Sequence, residues 1–82
     1  MNIIARTSRQ LGAAIRRNRK QQGLTQSALA ARMNTRQATI STLERGDAAL
    51  GTVIDALAAL NLEIVVRERS RASLEEFLED TT

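Results

Sequence analysis

The sequence predicts an all-α domain of four short helices that is followed by one short strand. Three observations support this fold class. Apolar residues recur at helical spacing in four separate stretches between residues 8 and 60. Residues that typically begin or end helices, such as Thr25 and Gly46, separate these stretches. Only residues 62–67 change to a period of two, which is typical of a strand.

The composition describes one small domain with an aliphatic core. The 82 residues are 43% hydrophobic and 26% charged, and Phe77 is the only aromatic residue. No apolar run approaches the roughly 20 residues that a membrane span needs. The chain has no Cys and no His, which excludes disulfides, thiol catalysis and the commonest zinc sites. We therefore expect a cytoplasmic protein without a metal, a cofactor or a membrane association.

The net charge of +3 conceals a strong polarity along the chain. Residues 1–46 carry nine Lys or Arg and a single acid, Glu44, whereas residues 47–82 carry three Arg and eight acids. A basic half and an acidic half indicate one surface for a polyanion and a second surface for another partner.

The first two helices are predicted from their caps and apolar positions. Thr7 or Ser8 can cap helix 1 and Thr25 can cap helix 2, because a short hydroxyl side chain satisfies backbone N–H groups at a helix start. Gly23 ends helix 1. The apolar positions are Leu11, Ala14 and Ile15 in helix 1 and Ala28, Leu29 and Met33 in helix 2.

Helices 3 and 4 are predicted in the same way. Asn34 suits the left-handed conformation of a tight turn before helix 3, which spans about residues 36–45 and ends at Gly46. Asn61 ends helix 4. The predicted core positions are Ala38, Ile40 and Leu43 in helix 3 and Leu50, Val53, Ile54, Leu57 and Leu60 in helix 4.

The alternating segment 62–67 predicts a dimer. A lone strand leaves its backbone donors and acceptors unpaired, and the simplest partner is the same segment of a second copy. The predicted interface consists of Leu62, Ile64, Val65 and Val66. The alternative is that these residues extend helix 4, because short β-branched runs are ambiguous.

The final residues, 70–82, form an acidic tail. Ser73 and Glu76 can form a capping box for a short fifth helix with Leu74, Phe77 and Leu78 on one side. Such a segment is too short to be stable alone, so it is either disordered or docked on a partner. Its acids lack the spacing and the glycine of a calcium loop.

Helices 2 and 3 form a helix-turn-helix pattern with basic residues on the same side. The second helix of such a pair fits the major groove of DNA, and its first side chains reach base edges. Arg36 can bond guanine and Gln37 can bond adenine, each through two hydrogen bonds. Gln26 and Ser27 begin helix 2, where backbone N–H groups favour a phosphate. For Arg16, Arg17 and Lys20, an exposed polar face and phosphate contact are equally good interpretations.

Catalysis is not expected. The chain has no His or Cys, no glycine-rich phosphate loop and no inferable pair of buried carboxylates. The sequence thus favours a binding protein over an enzyme.

Four short motifs resemble the phage-repressor-type (XRE) helix-turn-helix family. They are Gly23-Leu24-Thr25-Gln26, Leu29-Ala30, Thr39-Ile40-Ser41 and Leu43-Glu44-Arg45-Gly46. The run from Arg36 to Ser41, followed by helix 4 and the strand, is similar to the HipB-type antitoxins. This resemblance implies a four-to-five-helix repressor-like domain with one C-terminal strand that pairs across a dimer. It also implies autoregulation of an operon and neutralisation of a HipA-type kinase toxin by binding.

The resemblance, together with the pattern above, assigns roles by position. Base contacts are assigned to Arg36, Gln37, Ala38, Thr39 and Thr42, and phosphate contacts to Gln26, Ser27, Arg16, Lys20, Ser41 and Arg45. The resemblance also implies that Arg19 and Glu44 form a structural pair between helices 1 and 3. Asn18 departs from the family, which usually has an apolar residue there, so it is either half-exposed or hydrogen-bonded inside.

The expected organisation is a DNA-binding domain over residues 1–61, a dimerisation strand over 62–69 and an acidic tail over 70–82. The expected partners are a palindromic duplex operator, a second copy of the chain and a HipA-like toxin. The alternative function is that of a stand-alone transcriptional regulator of the same family without a toxin.

Overall fold

Four helices make up the part of the chain that the structure describes. The computed structural model describes residues 2–69. The helices are α1 (Ser8–Gln21), α2 (Gln26–Arg32), α3 (Gln37–Glu44) and α4 (Leu50–Ala59). The predicted all-α helix-turn-helix fold is confirmed, whereas the predicted fifth helix around Ser73 lies outside the described residues. Within residues 2–69, no helix is both long and apolar enough to cross a membrane.

The predicted caps and turns fix the helix ends. The Thr7 hydroxyl accepts a hydrogen bond from the backbone N–H of Gln10 at 3.0 Å, and the Thr25 hydroxyl does the same for Ala28 at 3.0 Å. Asn34 adopts a left-handed φ of 53° in the turn between α2 and α3. These local interactions depend on neighbours in the sequence, so a pattern of residue types can predict them.

The core lies where α3 packs against α1 and α2 and where α4 closes the open side. Its buried apolar residues are Ile15, Leu29, Ala30, Ile40, Leu43, Ala56, Leu57 and Leu60. The core assignment of three other residues was wrong. Leu50 is 70% exposed and Ile54 is 46% exposed, and Ala38 is also exposed. Ala56 of α4 is buried in the hydrophobic core instead. The outer side of α4 is therefore apolar, because Leu50 and Ile54 lie there.

Gly12 brings α1 and α3 into close contact. A Cβ atom on Gly12 would lie 2.6 Å from the carbonyl oxygen of Glu44 and 2.8 Å from that of Leu43. These neighbours are backbone atoms at the end of α3, which cannot move aside like a flexible side chain. Only glycine therefore allows this approach, although the sequence pattern did not single out this position.

We expect Gly12→Ala to lower stability. Helix propensity alone would favour alanine by up to about 1 kcal/mol, but separation of α1 and α3 costs about 1–3 kcal/mol. Gly51→Ala is the matched control, because a Cβ atom at this helical glycine of α4 meets no atom within 4 Å. Urea unfolding should show a lower midpoint for Gly12→Ala and a higher midpoint for Gly51→Ala. An equal gain in both variants would contradict the packing argument.

The chain leaves α4 in a sharp turn. Asn61 has a left-handed φ of 59°, and the backbone N–H of Leu62 donates to the carbonyl oxygen of Leu57 at 2.7 Å. The alternative in which residues 62–67 extend α4 is therefore wrong. Residues 62–69 have no assigned secondary structure in the single chain. A strand is defined by bonds to a second strand, so the predicted strand stays a prediction about the dimer.

Asn18 is half-buried and hydrogen-bonded, which combines the two interpretations of this position. The Gln22 amide Nε2 donates to the Asn18 Oδ1 atom at 2.8 Å and to the carbonyl oxygen of Leu60 at 2.8 Å. This amide ties the end of α1 to the end of α4 and satisfies a carbonyl group that the helix end leaves unpaired.

Candidate nucleic-acid interface

The outer side of α3 is the candidate surface. Arg36, Gln37 and Ala38 are exposed around its first turn, while Ile40 and Leu43 on the opposite side are completely buried. The buried pair fixes the rotation of the helix. The exposed side therefore has a fixed direction, which a surface that contacts base edges requires.

A shallow groove of about 430 Å³ runs between α3 and the start of α4. Four of the five residues predicted to contact bases line it, namely Arg36, Ala38, Thr39 and Thr42. The residues on the other side of this groove were not predicted to belong to a site. That side is lined by Asp47, Ala48, Ala49 and Thr52. Apart from Asp47, these residues have small side chains that match no DNA-binding pattern in the sequence. They line the groove because α4 packs beside α3.

The first residues of α2 contact the first residue of α3. The Gln37 amide Nε2 donates to Gln26 Oε1 at 3.3 Å, and the Ser27 hydroxyl donates to Gln37 Oε1 at 3.1 Å. The structure thus brings together two residues that were assigned to phosphate and one that was assigned to a base. The helix-turn-helix pattern placed these side chains on one side of the protein, but it did not predict bonds between them.

The end of α3 carries a second group of bonded polar residues. The Arg45 guanidinium donates to the Ser41 hydroxyl at 3.0 Å and to the Thr42 hydroxyl at 3.3 Å. Thr42 in turn donates to the carbonyl oxygen of Ala38 at 3.0 Å. Arg45 Nε also lies 4.0 Å from Asp47 Oδ2, and both side chains are mostly exposed. An exposed ion pair of this length contributes little stability.

Arg19 and Glu44 form an ion pair behind this surface. Arg19 Nε lies 2.6 Å from Glu44 Oε2, and Arg19 Nη2 lies 3.0 Å from Glu44 Oε1. The two side chains are 7% and 4% exposed. Arg19 also donates through Nη1 to the carbonyl oxygen of Leu24 at 2.7 Å. The pair therefore joins α1, the loop before α2 and the end of α3.

The surroundings of Glu44 favour its ionised form. Burial opposes ionisation and raises its pKa, but hydrogen bonds from Arg19 and Gln26 act in the opposite direction. The nearby charges of Arg19 and Arg16 add to these bonds, and the pKa of Glu44 falls below its usual value. The hydrogen bond to Glu44 likewise raises the pKa of Arg19. Both groups are therefore charged at neutral pH.

The basic residues of α1 lie apart from the α3 groove. Arg16, Arg17 and Lys20 line a separate shallow depression of about 480 Å³ together with Ala13 and Gln21. Arg16 is also close enough to Glu44 to affect its pKa, which places Arg16 towards the α3 side. The depression that holds the basic side chains of α1 thus shares no lining residue with the groove between α3 and α4. No group of His, Cys, Asp or Glu within residues 2–69 is arranged to hold a metal ion.

The comparisons with known proteins agree with this geometry. A family model described as helix-turn-helix matches residues 15–66, which is more than half of the chain. One similar structure belongs to a HipA–HipB–O2–O3 complex, with 31% identity and a TM-score of 0.77 over 84% of this chain and 100% of that chain. Another is a HipB–O4 20mer complex, with 31% identity and a TM-score of 0.78 over the same shares. No curated protein sequence matches closely. The chain therefore belongs to the phage-repressor-type (XRE) helix-turn-helix family and, within it, to the HipB-like proteins.

Proposed function

We propose that the protein is a sequence-specific DNA-binding repressor that acts as a homodimer on a palindromic operator. The observation that carries this proposal is the exposed outer side of α3, whose inner side is locked into the core by Ile40 and Leu43. The similarity to structures of HipB with operator duplexes supports it. The protein acts by binding rather than by catalysis, in the cytoplasm where its operator lies.

The proposed base contacts are made by two kinds of group. Arg36 and Gln37 provide hydrogen bonds to guanine and adenine, respectively. Ala38 and Thr42 provide methyl groups, since the Thr42 hydroxyl proton is already donated to the Ala38 carbonyl oxygen. A methyl group favours the methyl group of thymine in the major groove. Thr39 completes the set beside the α3 groove.

The proposed phosphate contacts lie on α1, at the start of α2 and at the end of α3. Ser27 lies in the first turn of α2, where the helix dipole favours a negative charge. Arg45 lies at the end of α3, where its guanidinium donates hydrogen bonds to the hydroxyl groups of Ser41 and Thr42. The complete proposed set is Gln26, Ser27, Arg16, Lys20, Ser41 and Arg45. Such contacts fix the register of the protein on the duplex without selecting a sequence.

The homodimer is proposed to form through the segment after α4. Ile64 is 45% exposed, Val65 72% and Val66 94%, whereas Leu62 packs against the core. Three exposed apolar residues in a row are costly for a monomer, and an intersubunit strand pair would cover them and satisfy their backbone groups. In the dimer, two copies of α3 would lie roughly 34 Å apart, one turn of B-DNA. The proposed organisation is therefore residues 1–61 for DNA binding, 62–69 for dimerisation and 70–82 as the acidic tail.

Binding to the protein's own promoter region tests this function. The purified protein is titrated against that duplex and against a scrambled duplex of equal length and composition across a salt series. We expect selective binding that weakens steeply as salt rises, because phosphate neutralisation releases counterions. Equal, weak binding to both duplexes would contradict the proposal.

We further propose that the protein is the antitoxin of a HipA-type kinase toxin. The supporting observation is the similarity to one chain of a HipA–HipB–O2–O3 complex. The present chain covers the whole length of that one chain. The acidic C-terminal half could bind a toxin while the basic half binds DNA. The alternative is a stand-alone regulator of the same family.

Co-expression distinguishes these two possibilities. The chain is expressed with the product of any kinase-like gene beside its own, and one partner is purified through a tag. A stable complex that relieves growth arrest by the kinase supports the antitoxin. The absence of such a gene, or of a complex with its product, leaves the stand-alone regulator.

A further inference from the structure

Helix α1 presents basic side chains that form no ion pair. A shallow depression of about 480 Å³ on its exposed side, here called the α1 depression, is lined by Ala13, Arg16, Arg17, Lys20 and Gln21. All five residues are exposed, and no ion pair within residues 2–69 involves the three basic ones. Arg16 and Lys20 are four positions apart, a spacing at which like charges destabilise a helix. An anion in the α1 depression would therefore relieve a repulsion.

The α1 depression offers apolar surface as well as charge. Ala13 is small and exposed, and it leaves space about one helical turn before Arg16 and Arg17. Arginine and lysine side chains carry long aliphatic stems below their charged ends, so part of the lining is apolar. A phosphate group alone would use only the charges. The ligand that fits both features is an acidic peptide that also carries apolar side chains.

The chain itself contains such a peptide. Residues 70–82, the acidic tail, lie outside the described residues, but their sequence has four acids and a single base, Arg71. Three apolar residues, Leu74, Phe77 and Leu78, lie among these acids. The charge and the composition of the tail thus match those of the α1 depression.

The tail is long enough to reach the α1 depression. Gln22 Nε2 donates to the carbonyl oxygen of Leu60 at 2.8 Å, so α4 ends beside the end of α1. An extended chain covers about 3.3 Å per residue. Even if residues 62–69 lead straight away from Leu60 over about 26 Å, residues 70–82 extend over about 43 Å and can return. Pairing of residues 62–69 with a second copy therefore leaves the tail within reach of an α1 depression of the same dimer.

We propose that the acidic tail docks on the α1 depression and competes there with the phosphates of DNA. Arg16 and Lys20 are the shared residues, since they are also proposed to contact phosphate. The docking itself depends only on the chain, whereas the competition rests on the proposed DNA-binding function. Phosphate contacts carry no sequence information, so the tail lowers the affinity for all duplexes by a similar factor.

The first measurement detects docking without DNA. Backbone amide NMR signals of the wild-type chain are compared with those of a variant in which amides replace the four acids of the tail, namely Glu75→Gln, Glu76→Gln, Glu79→Gln and Asp80→Asn. We expect the differences outside the tail to be concentrated at residues 13–21. They should shrink as salt rises to about 1 M, where the screening length is only about 3 Å. The signals of α2 and α4 provide the internal control.

The second measurement uses the operator and the scrambled duplex. Neutralisation of the tail should raise the affinity for both by about 5- to 30-fold at low salt, because several exposed charge pairs of small individual effect are lost together. Repulsion between the tail and DNA would also raise the affinity, so a further substitution separates the two causes. Ala13→Glu places an acid in the α1 depression, and it should abolish most of the gain.

Ala31→Glu is the matched control. It makes the same change at an exposed alanine of α2 that lines neither the α1 depression nor the α3 groove. It should keep the full gain, since the α1 depression stays intact. Both alanines are exposed, so we expect both variants to fold, and thermal unfolding checks this. Arg17→Glu takes the place of Ala13→Glu if the latter unfolds.

Equal gains in Ala13→Glu and Ala31→Glu would overturn the proposal, because the tail would then repel DNA from a distance. Amide signals of α1 that do not respond to the tail would overturn it as well. The proposed repressor function survives both results if the wild-type chain still prefers its operator. If that preference is absent, the repressor function and the competition fail, while the α1 signals still decide whether the tail docks.

Discussion

The Arg19→Met variant is expected to be less stable than the wild-type protein by about 3–5 kcal/mol. Methionine fills much of the same space, but it leaves Glu44 ionised and 4% exposed without its main partner. The backbone carbonyl group of Leu24 also loses a donor. Domains of this kind are stable by only about 5–15 kcal/mol, so the variant should lose a large fraction of its stability. Urea unfolding at neutral pH measures the difference.

Arg17→Met is the matched control, since it makes the same substitution at an exposed position two residues away on α1. We expect its free energy of unfolding to change by less than about 1 kcal/mol. Similar losses in both variants would show that the ion pair is not the cause.

The stability of the wild-type protein and that of Arg19→Met should respond differently to pH. In the wild-type protein, the lowered pKa of Glu44 means that its contribution to stability is complete above the ordinary pKa of 4.5 and is lost as the pH falls through the folded-state value. In Arg19→Met, protonation instead relieves the buried charge. The difference in stability between the two proteins should therefore narrow in acid. A constant difference between pH 7 and pH 3 would contradict the role of the Glu44 charge.

The second large effect is expected from Arg36→Ala. Each protomer would lose one bidentate contact with guanine, which is worth about 1–3 kcal/mol, so a symmetric operator with two half-sites would bind more weakly by about 2–6 kcal/mol. Arg36 precedes α3 and its side chain makes no capping hydrogen bond, so the substitution removes no cap. Titration against the operator and its single-base variants should show that the preference is lost at one base pair in each half-site.

Arg32→Ala provides the control for charge. Arg32 is exposed in the last turn of α2, and its loss removes the same positive charge from each protomer outside α3. We expect a small, uniform decrease in affinity for all duplexes. If Arg36→Ala keeps its sequence preference and behaves like Arg32→Ala, Arg36 contacts phosphate rather than a base.

Local interactions explain why the helix boundaries could be predicted. The Thr25 hydroxyl accepts a hydrogen bond from a backbone N–H three positions away. Asn34 turns the chain through its own left-handed φ angle. Residue types alone specify such features, because the partners are always close in sequence. The helical period likewise predicted that Ile40 and Leu43 of α3 are buried, but it also assigned Ala38 to the core, and Ala38 is exposed.

Helical periodicity was not sufficient to define the core. Apolar residues surround most of α4, so the period could not distinguish Leu50 and Ile54, which are exposed, from Ala56, which is completely buried. The neighbouring helices make this choice, since they cover one side of α4 and leave the other uncovered. Gly12 is a similar case, because its requirement for glycine arises from the backbone of α3.

The amino-acid sequence was thus enough to specify the helices, their caps, the helix-turn-helix pattern and the candidate base-contacting residues, since all of these depend on residue type and short-range spacing. The packing of the helices was needed to reveal which apolar residues are buried, how closely α1 approaches α3, and how Glu44 is linked to Gln37 through Gln26. These features join residues that are distant along the chain. Their distances exist only after the helices have packed together, and no local pattern encodes them.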